Sequence, residues 1–134
     1  MLEQENTQRV KDIYAAFGRG DMPTLLEALA DDVEWVVAGP SDLPTSGMRR
    51  GKQAVQTWFG TLVENREFHV FEPQEFIAQG DKVVVLLQVE FTTRRSGRKV
   101  VMHEAHLWAL RDGKFIRHES FEDTAAIADA YRGR

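Results

Sequence analysis

The chain has 134 residues, enough to bury a core without disulfides or structural metals, and its 43% hydrophobic and 28% charged composition is that of an ordinary globular protein. A net charge of −4 argues against a nucleic-acid binder, which needs a basic face. The absence of cysteine excludes disulfide scaffolds, thiolate metal sites and thiol nucleophiles.

The polar N-terminus, MLEQENTQRVKD, has no signal-peptide pattern, and the longest apolar run, Val83 to Leu87, is too short to span a membrane. One domain over residues 1–134, in a soluble cytoplasmic protein, is the expectation. From Thr7 to Phe17 the residues Val10, Ile13, Tyr14 and Phe17 recur at helical spacing, with Asn6 or Thr7 as cap and Gly18 as stop. Asp21 caps a second helix that has Pro23 in its first turn, turns Leu25, Leu26 and Leu29 inward, and ends at Asp31-Asp32. Val33 to Val37 reads as a strand, and Ala38 to Arg50, with two prolines, two glycines and two serines, as a long loop. A third helix runs from Lys52 to about Glu64, with Val55, Trp58, Phe59 and Leu62 as its buried stripe.

Four strands follow: Glu67 to Ile77, Lys82 to Thr92, Arg98 to Leu110 and Lys114 to Phe121. The separators Gln79-Gly80-Asp81, Arg95-Ser96-Gly97 and Arg111-Asp112-Gly113 are short, so these strands form antiparallel hairpins. Asp123 caps a short terminal helix reaching Tyr131. Helices first and strands afterwards give an α+β layer in which three N-terminal helices cover a curved antiparallel sheet.

Three stretches, GDMPTLLEALADDVEW (20–35), Gly47 and Gly51 ahead of AVQTWF, and RDGKFIRHESFEDTAA (111–126), resemble the SnoaL-like and ketosteroid-isomerase-like branch of the NTF2-like superfamily. The resemblance covers nearly the whole chain. It implies a cone-shaped sheet, a homodimer formed through the sheet's outer face, and a deep apolar pocket for a small hydrophobic or ring-containing ligand. It does not carry over the ketosteroid-isomerase machinery. Ile13 falls at the position of that family's tyrosine, Val37 at its base and His106 at its third polar residue. Tyr14, one step along the helix, would point about 100° away.

The stretch EAHLWALRDGKFIRHES (104–120) holds the histidines that matter. If Arg111-Asp112-Gly113 is a three-residue loop, His106 pairs with His118, Trp108 with Ile116 and Glu104 with Ser120 on one face. If Asp112-Gly113 alone forms the turn, His106 faces Glu119 and His118 joins Leu107 on the other face. The three-residue loop is favoured, because Asp followed by Gly suits it and the resemblance turns both histidines toward the pocket. Imidazole titrates near neutrality, a carboxylate can orient it, and two adjacent imidazoles disfavour a second positive charge. Glu104, His106 and His118 are therefore the candidate catalytic residues. Ile13, Tyr14, Trp35, Val37, Trp58, Gln88, Trp108 and Ser120 are the candidate ligand-binding residues.

His103-Glu104-Ala105-His106 is not read as a metal motif, because residues three apart on a strand point to opposite faces. No metal and no cofactor are expected. Arg49 and Arg50 beside Lys52 could meet an acidic ligand at the N-terminus of the third helix, although solvent exposure is the preferred reading. The composite reading is cofactor-free isomerisation, cyclisation or dehydration next to a carbonyl. A non-catalytic binding protein and a structural dimerisation module are the alternatives.

Overall fold

The computed structural model describes residues 2–134. The elements are α1 (Leu2–Gly18), α2 (Met22–Glu27), β1 (Leu29–Val37), β2 (Gly47–Arg50) and α3 (Lys52–Asn65). After them come β3 (Arg66–Gln79), β4 (Lys82–Thr93), β5 (Lys99–Arg111), β6 (Lys114–Phe121) and α4 (Thr124–Arg132). The strands form one curved, unclosed sheet in the order β2-β1-β6-β5-β4-β3, giving the expected α+β architecture. Among the described residues no helix is long and apolar enough to cross a membrane.

Alternation decides which face of the sheet is covered. Val83, Val85, Leu87, Val89 and Phe91 of β4 point inward, while Val84, Leu86, Gln88 and Glu90 point outward. On the inner face α1 presents Val10, Ile13 and Ala16, and α3 presents Val55, Trp58, Phe59 and Leu62. β3 closes one edge of the sheet, a position that tolerates Pro73 and its register shift.

The helices differ from the sequence expectation at their ends. The first begins at Leu2, with Glu3 and Glu5 in its opening turn, where carboxylates favour the dipole. Asn6 is thus a buried residue inside the helix, not a cap. Asp21 does cap α2 by accepting a hydrogen bond from the Thr24 amide. That helix stops at Glu27, so Leu29 and Asp31-Asp32 belong to β1. Part of the expected loop at 38–50 is β2, paired antiparallel with β1.

The sheet is also not wholly antiparallel, because β1 runs parallel to β6. Hairpin reasoning covers only strands adjacent in the chain. The helices and strands between β1 and β6 supply the long crossover that a parallel pair requires.

The last hairpin departs from the favoured register in an instructive way. Arg111 pairs with Lys114, so the turn is the two-residue Asp112-Gly113, with φ of 51° and 78°. Positive φ at both positions is the hairpin turn whose twist matches the strands. A bulge follows at once: Leu110 pairs with Phe115 but Ala109 with Arg117, leaving Ile116 unpaired. The turn by itself would send His118 to the outer face, and the bulge returns it to the inner one. Trp108 is therefore opposite His118, and His106 opposite Ser120.

Candidate functional site

Glu104, His106 and Trp108 alternate inward on β5, and His118 and Ser120 alternate inward on β6. All five are buried. They floor a cavity between sheet and helices, roofed by Ile13, Tyr14 and Phe17 of α1, Trp58, Phe59 and Leu62 of α3, and Leu25 of α2. Trp35 of β1 closes one side, and Phe68 and Phe71 of β3 close the other. The cavity holds about 530 Å³ of unfilled space, part of it open to solvent.

A chain of hydrogen bonds crosses the floor. The Trp108 indole N–H donates to Tyr14 Oη at 3.0 Å, and Tyr14 Oη lies 2.6 Å from His106 Nδ1. His106 Nε2 is in turn hydrogen-bonded to Glu104 Oε2. Indole nitrogen only donates, so Tyr14 accepts from Trp108 and has its own hydrogen free for His106 Nδ1. His106 Nδ1 then accepts, and Nε2–H donates to the carboxylate. Burial pushes the Tyr14 phenol well above its ordinary value of 10.0, which keeps that hydrogen in place.

His118 has a different environment. Its ring packs 4.1 Å from Trp35 and 4.2 Å from Trp108, centroid to centroid. Nε2 lies 3.0 Å from Ser120 Oγ, whereas Nδ1 is buried without a hydrogen-bond partner among the described residues. Burial, reinforced by His106 4.7 Å away, holds its pKa well below the ordinary 6.5. His118 is thus a neutral imidazole. The buried Trp35 indole N–H also lacks a partner among the described residues. Buried polar atoms are rarely left unpaired, so both are natural points for a ligand or water oxygen to bind.

Two expected ligand contacts do not reach the cavity. Val37 is buried in the core beyond the lining residues. Gln88 lies on the outer face, opposite Glu72 and His103, because β4 turns its even-numbered residues outward. Tyr14 does reach it, despite the 100° argument. The cavity wraps far enough around α1 for Ile13 and Tyr14 to border it together, and a long side chain spans the remaining arc. His103 is exposed on the face opposite His106, so the two do not converge. Arg49 directs its donors to the carbonyls of Pro44, Thr45 and Ser46, shaping the loop before β2.

Sequence reading missed a second polar group in the same cavity: Arg66, at the start of β3, paired 3.1 Å from Glu122 just beyond β6. The inward positions 118 and 120 extend by alternation to 122, which is the signal that was available for Glu122.

Comparison with known proteins places the chain among relatives of the same fold. A family model described as SnoaL-like domain matches residues 10–118. The crystal structure of an NTF2-like protein from Burkholderia xenovorans LB400 superposes with a TM-score of 0.89 at 34% identity, covering 96% of this chain and 97% of that one. TerC, crystallised with polyporic acid, superposes with a TM-score of 0.81 at 28% identity, over 96% and 98% of the two chains. An uncharacterised protein of Mycobacterium tuberculosis H37Rv is 24% identical over 98% of each chain.

Proposed function

This chain belongs to the SnoaL-like domain family, and from that premise we propose that it is a cofactor-free acid–base catalyst acting on a small, ring-containing carbonyl compound. The observation that carries the reading is the hydrogen-bonded run from Trp108 through Tyr14 and His106 to Glu104, set in a cavity walled by aromatic side chains. Aromatic walls select a ring, and the polar run supplies an acid, a base and a group to hold the base in one orientation.

The chemistry follows from the donors. An entering carbonyl oxygen takes the Tyr14 hydrogen bond, which uncovers the lone pair on His106 Nδ1. Nδ1 then accepts the proton from the carbon beside the carbonyl. The C–H electron pair becomes the new C=C bond, and the carbonyl π pair moves onto oxygen, where Tyr14 O–H stabilises the enolate. Glu104, already bonded to Nε2–H, stabilises the imidazolium that forms. Return of the proton to another carbon completes an isomerisation; attack by the enolate carbon on a second carbonyl, whose π pair moves onto its oxygen and takes the proton back from Nδ1, completes a cyclisation. His118 stays neutral and offers Nδ1 to the ligand, so its part is orientation.

The reading includes a homodimer formed through the outer face of the sheet, where Ile77, Leu86, Val101 and Phe121 are exposed. Sedimentation equilibrium gives the mass; a monomer at micromolar concentration contradicts that part.

The test of the chemistry is deuterium uptake from D2O into the carbon beside the carbonyl of 2-tetralone, followed by NMR. Wild-type protein is expected to accelerate uptake over buffer, and His106→Ala to abolish the acceleration. Binding of tetralone with no acceleration would favour the non-catalytic binder instead.

A further inference from the structure

Beyond Tyr14 and His106, the cavity holds one fixed cation among the described residues, and the chemistry above does not use it. Arg66 is 6% exposed and borders the cavity. Its guanidinium lies 4.4 Å from the centre of the Phe91 ring, Nη1 donates to Glu122 Oε2 at 3.1 Å, and Nη2 donates to Thr45 Oγ1 at 3.3 Å. A guanidinium carries five N–H donors in a flat fork suited to paired oxygens, and these two bonds use only two of them. Glu122 is an uneasy partner: the Glu104 carboxylate borders the same cavity and its charge opposes a second negative charge at Glu122.

We propose that Arg66 anchors an anionic oxygen of the ligand, with Glu122 as the partner displaced, so that the cavity takes ring-containing carbonyl compounds bearing a carboxylate or an ionised acidic hydroxyl. The inference rests on the functional reading above and specifies the substrate class for that same cavity. The exchange is charge-balanced. An incoming anion replaces the Glu122 carboxylate on Arg66, and Glu122 takes up one proton from solvent and remains as a neutral acid. The groups facing Glu122 are Arg66 of β3 and Glu104 and His106 of β5, and Tyr131 of α4 borders the hollow behind Arg66. Burial and the nearby Glu104 charge both raise the Glu122 pKa above its ordinary 4.5, against the pull of Arg66, which makes the proton uptake accessible.

The experiment compares 2-naphthoate with its neutral counterpart 2-acetylnaphthalene by titration calorimetry in buffers of different ionisation enthalpy. Wild-type protein should take up about one proton per naphthoate bound and none with the ketone, and naphthoate affinity should fall up to about tenfold per pH unit in the alkaline direction. Glu122→Gln leaves Arg66 without a charged partner, so naphthoate should bind at least about tenfold more tightly at pH 8 with no proton uptake. The double variant Arg66→Met with Glu122→Gln, which leaves no unpaired buried charge, should lose the preference for naphthoate. Equal behaviour of the two probes in all three proteins, or no naphthoate binding by Glu122→Gln, overturns the inference. Tetralone exchange by the wild-type protein reads the His106 chemistry separately. A protein that exchanges tetralone yet ignores naphthoate keeps the first reading and loses this one.

Discussion

Tyr14 on the first helix and His106 on the fifth strand, 92 residues apart in the chain, meet at 2.6 Å between Oη and Nδ1. The bond links helix layer to sheet, and it ties His106 Nδ1 to the cavity-lining Tyr14. Removing the hydroxyl has a stability consequence separate from any chemistry. Tyr14→Phe leaves the buried Trp108 N–H without an acceptor, at a cost of about 1–3 kcal/mol in urea unfolding. Absorbance near 295 nm gives a second check. Native wild-type protein should show no Tyr14 ionisation where a free phenol titrates, because burial holds its proton. A native-state alkaline step that disappears in Tyr14→Phe contradicts this.

His118 makes the protein acid-sensitive. Its folded pKa lies below the unfolded value of 6.5, so the unfolded chain binds the extra proton first. The stabilising contribution is complete above pH 6.5 and is lost as pH falls toward the folded pKa, at up to about 1.4 kcal/mol per pH unit. His118→Gln removes this group's share of the slope. Unfolding curves for the two proteins between pH 7 and 5 should therefore converge on acidification. Parallel curves would show that His118 titrates alike in both states.

Much of this arrangement is legible in the sequence, and the failures have definite causes. Stripes such as Val55, Trp58, Phe59 and Leu62 have a period that only a helix satisfies, and β4 to β6 are strand-length runs bounded by short turns. β2 escaped because four residues, Gly47–Arg50, carry too little pattern to stand out from a loop. The inward face of His118 was foreseen through the wrong turn. The bulge at Ile116 arises from pairing with β5 and β1 together, and no local pattern in β6 marks it. Gln88 was misplaced because alternation says which residues share a face, but not which face is covered. Arg66 opens a strand straight after a helix, where an arginine reads as solvated; its burial depends on Glu122 and Phe91, both distant in the chain.

The turn itself is testable. Gly113 adopts φ of 78°, and a Cβ there would sit 3.2 Å from the Arg9 guanidinium, a flexible neighbour that can yield. Backbone strain should therefore dominate, and Gly113→Ala should lose about 1–2 kcal/mol by thermal or urea unfolding. An unchanged midpoint contradicts the two-residue turn.

The buried ion pair predicts non-additivity. Arg66→Met strands the Glu122 carboxylate, whose side chain is 4% exposed, and should cost about 3–5 kcal/mol. Adding Glu122→Gln should recover most of that loss, so the double variant is more stable than the single one. Additive losses, measured by urea unfolding at pH 7, would mean that the two groups do not depend on each other.

Within the catalytic reading, Glu104 acts through His106. His106→Ala should lower tetralone exchange by roughly 10²–10⁴-fold, the usual weight of a positioned general base. Glu104→Gln keeps a hydrogen-bond acceptor for Nε2–H but removes the charge that stabilises the imidazolium. Its loss should therefore be smaller and fall on kcat rather than KM. A Glu104→Gln protein at full activity removes the carboxylate from the account.

The most direct measurement is the protonation pattern of the His106 ring, read from long-range ¹H–¹⁵N correlation spectra of labelled protein with and without 2-tetralone. The arrangement predicts a protonated Nε2 and a bare Nδ1 that accepts from Tyr14. On adding tetralone, the Nδ1 signal should move toward that of an unbonded acceptor as the carbonyl takes the Tyr14 hydrogen. A proton on Nδ1 in the free protein, or an Nδ1 signal indifferent to tetralone at saturation, contradicts the proton path proposed here.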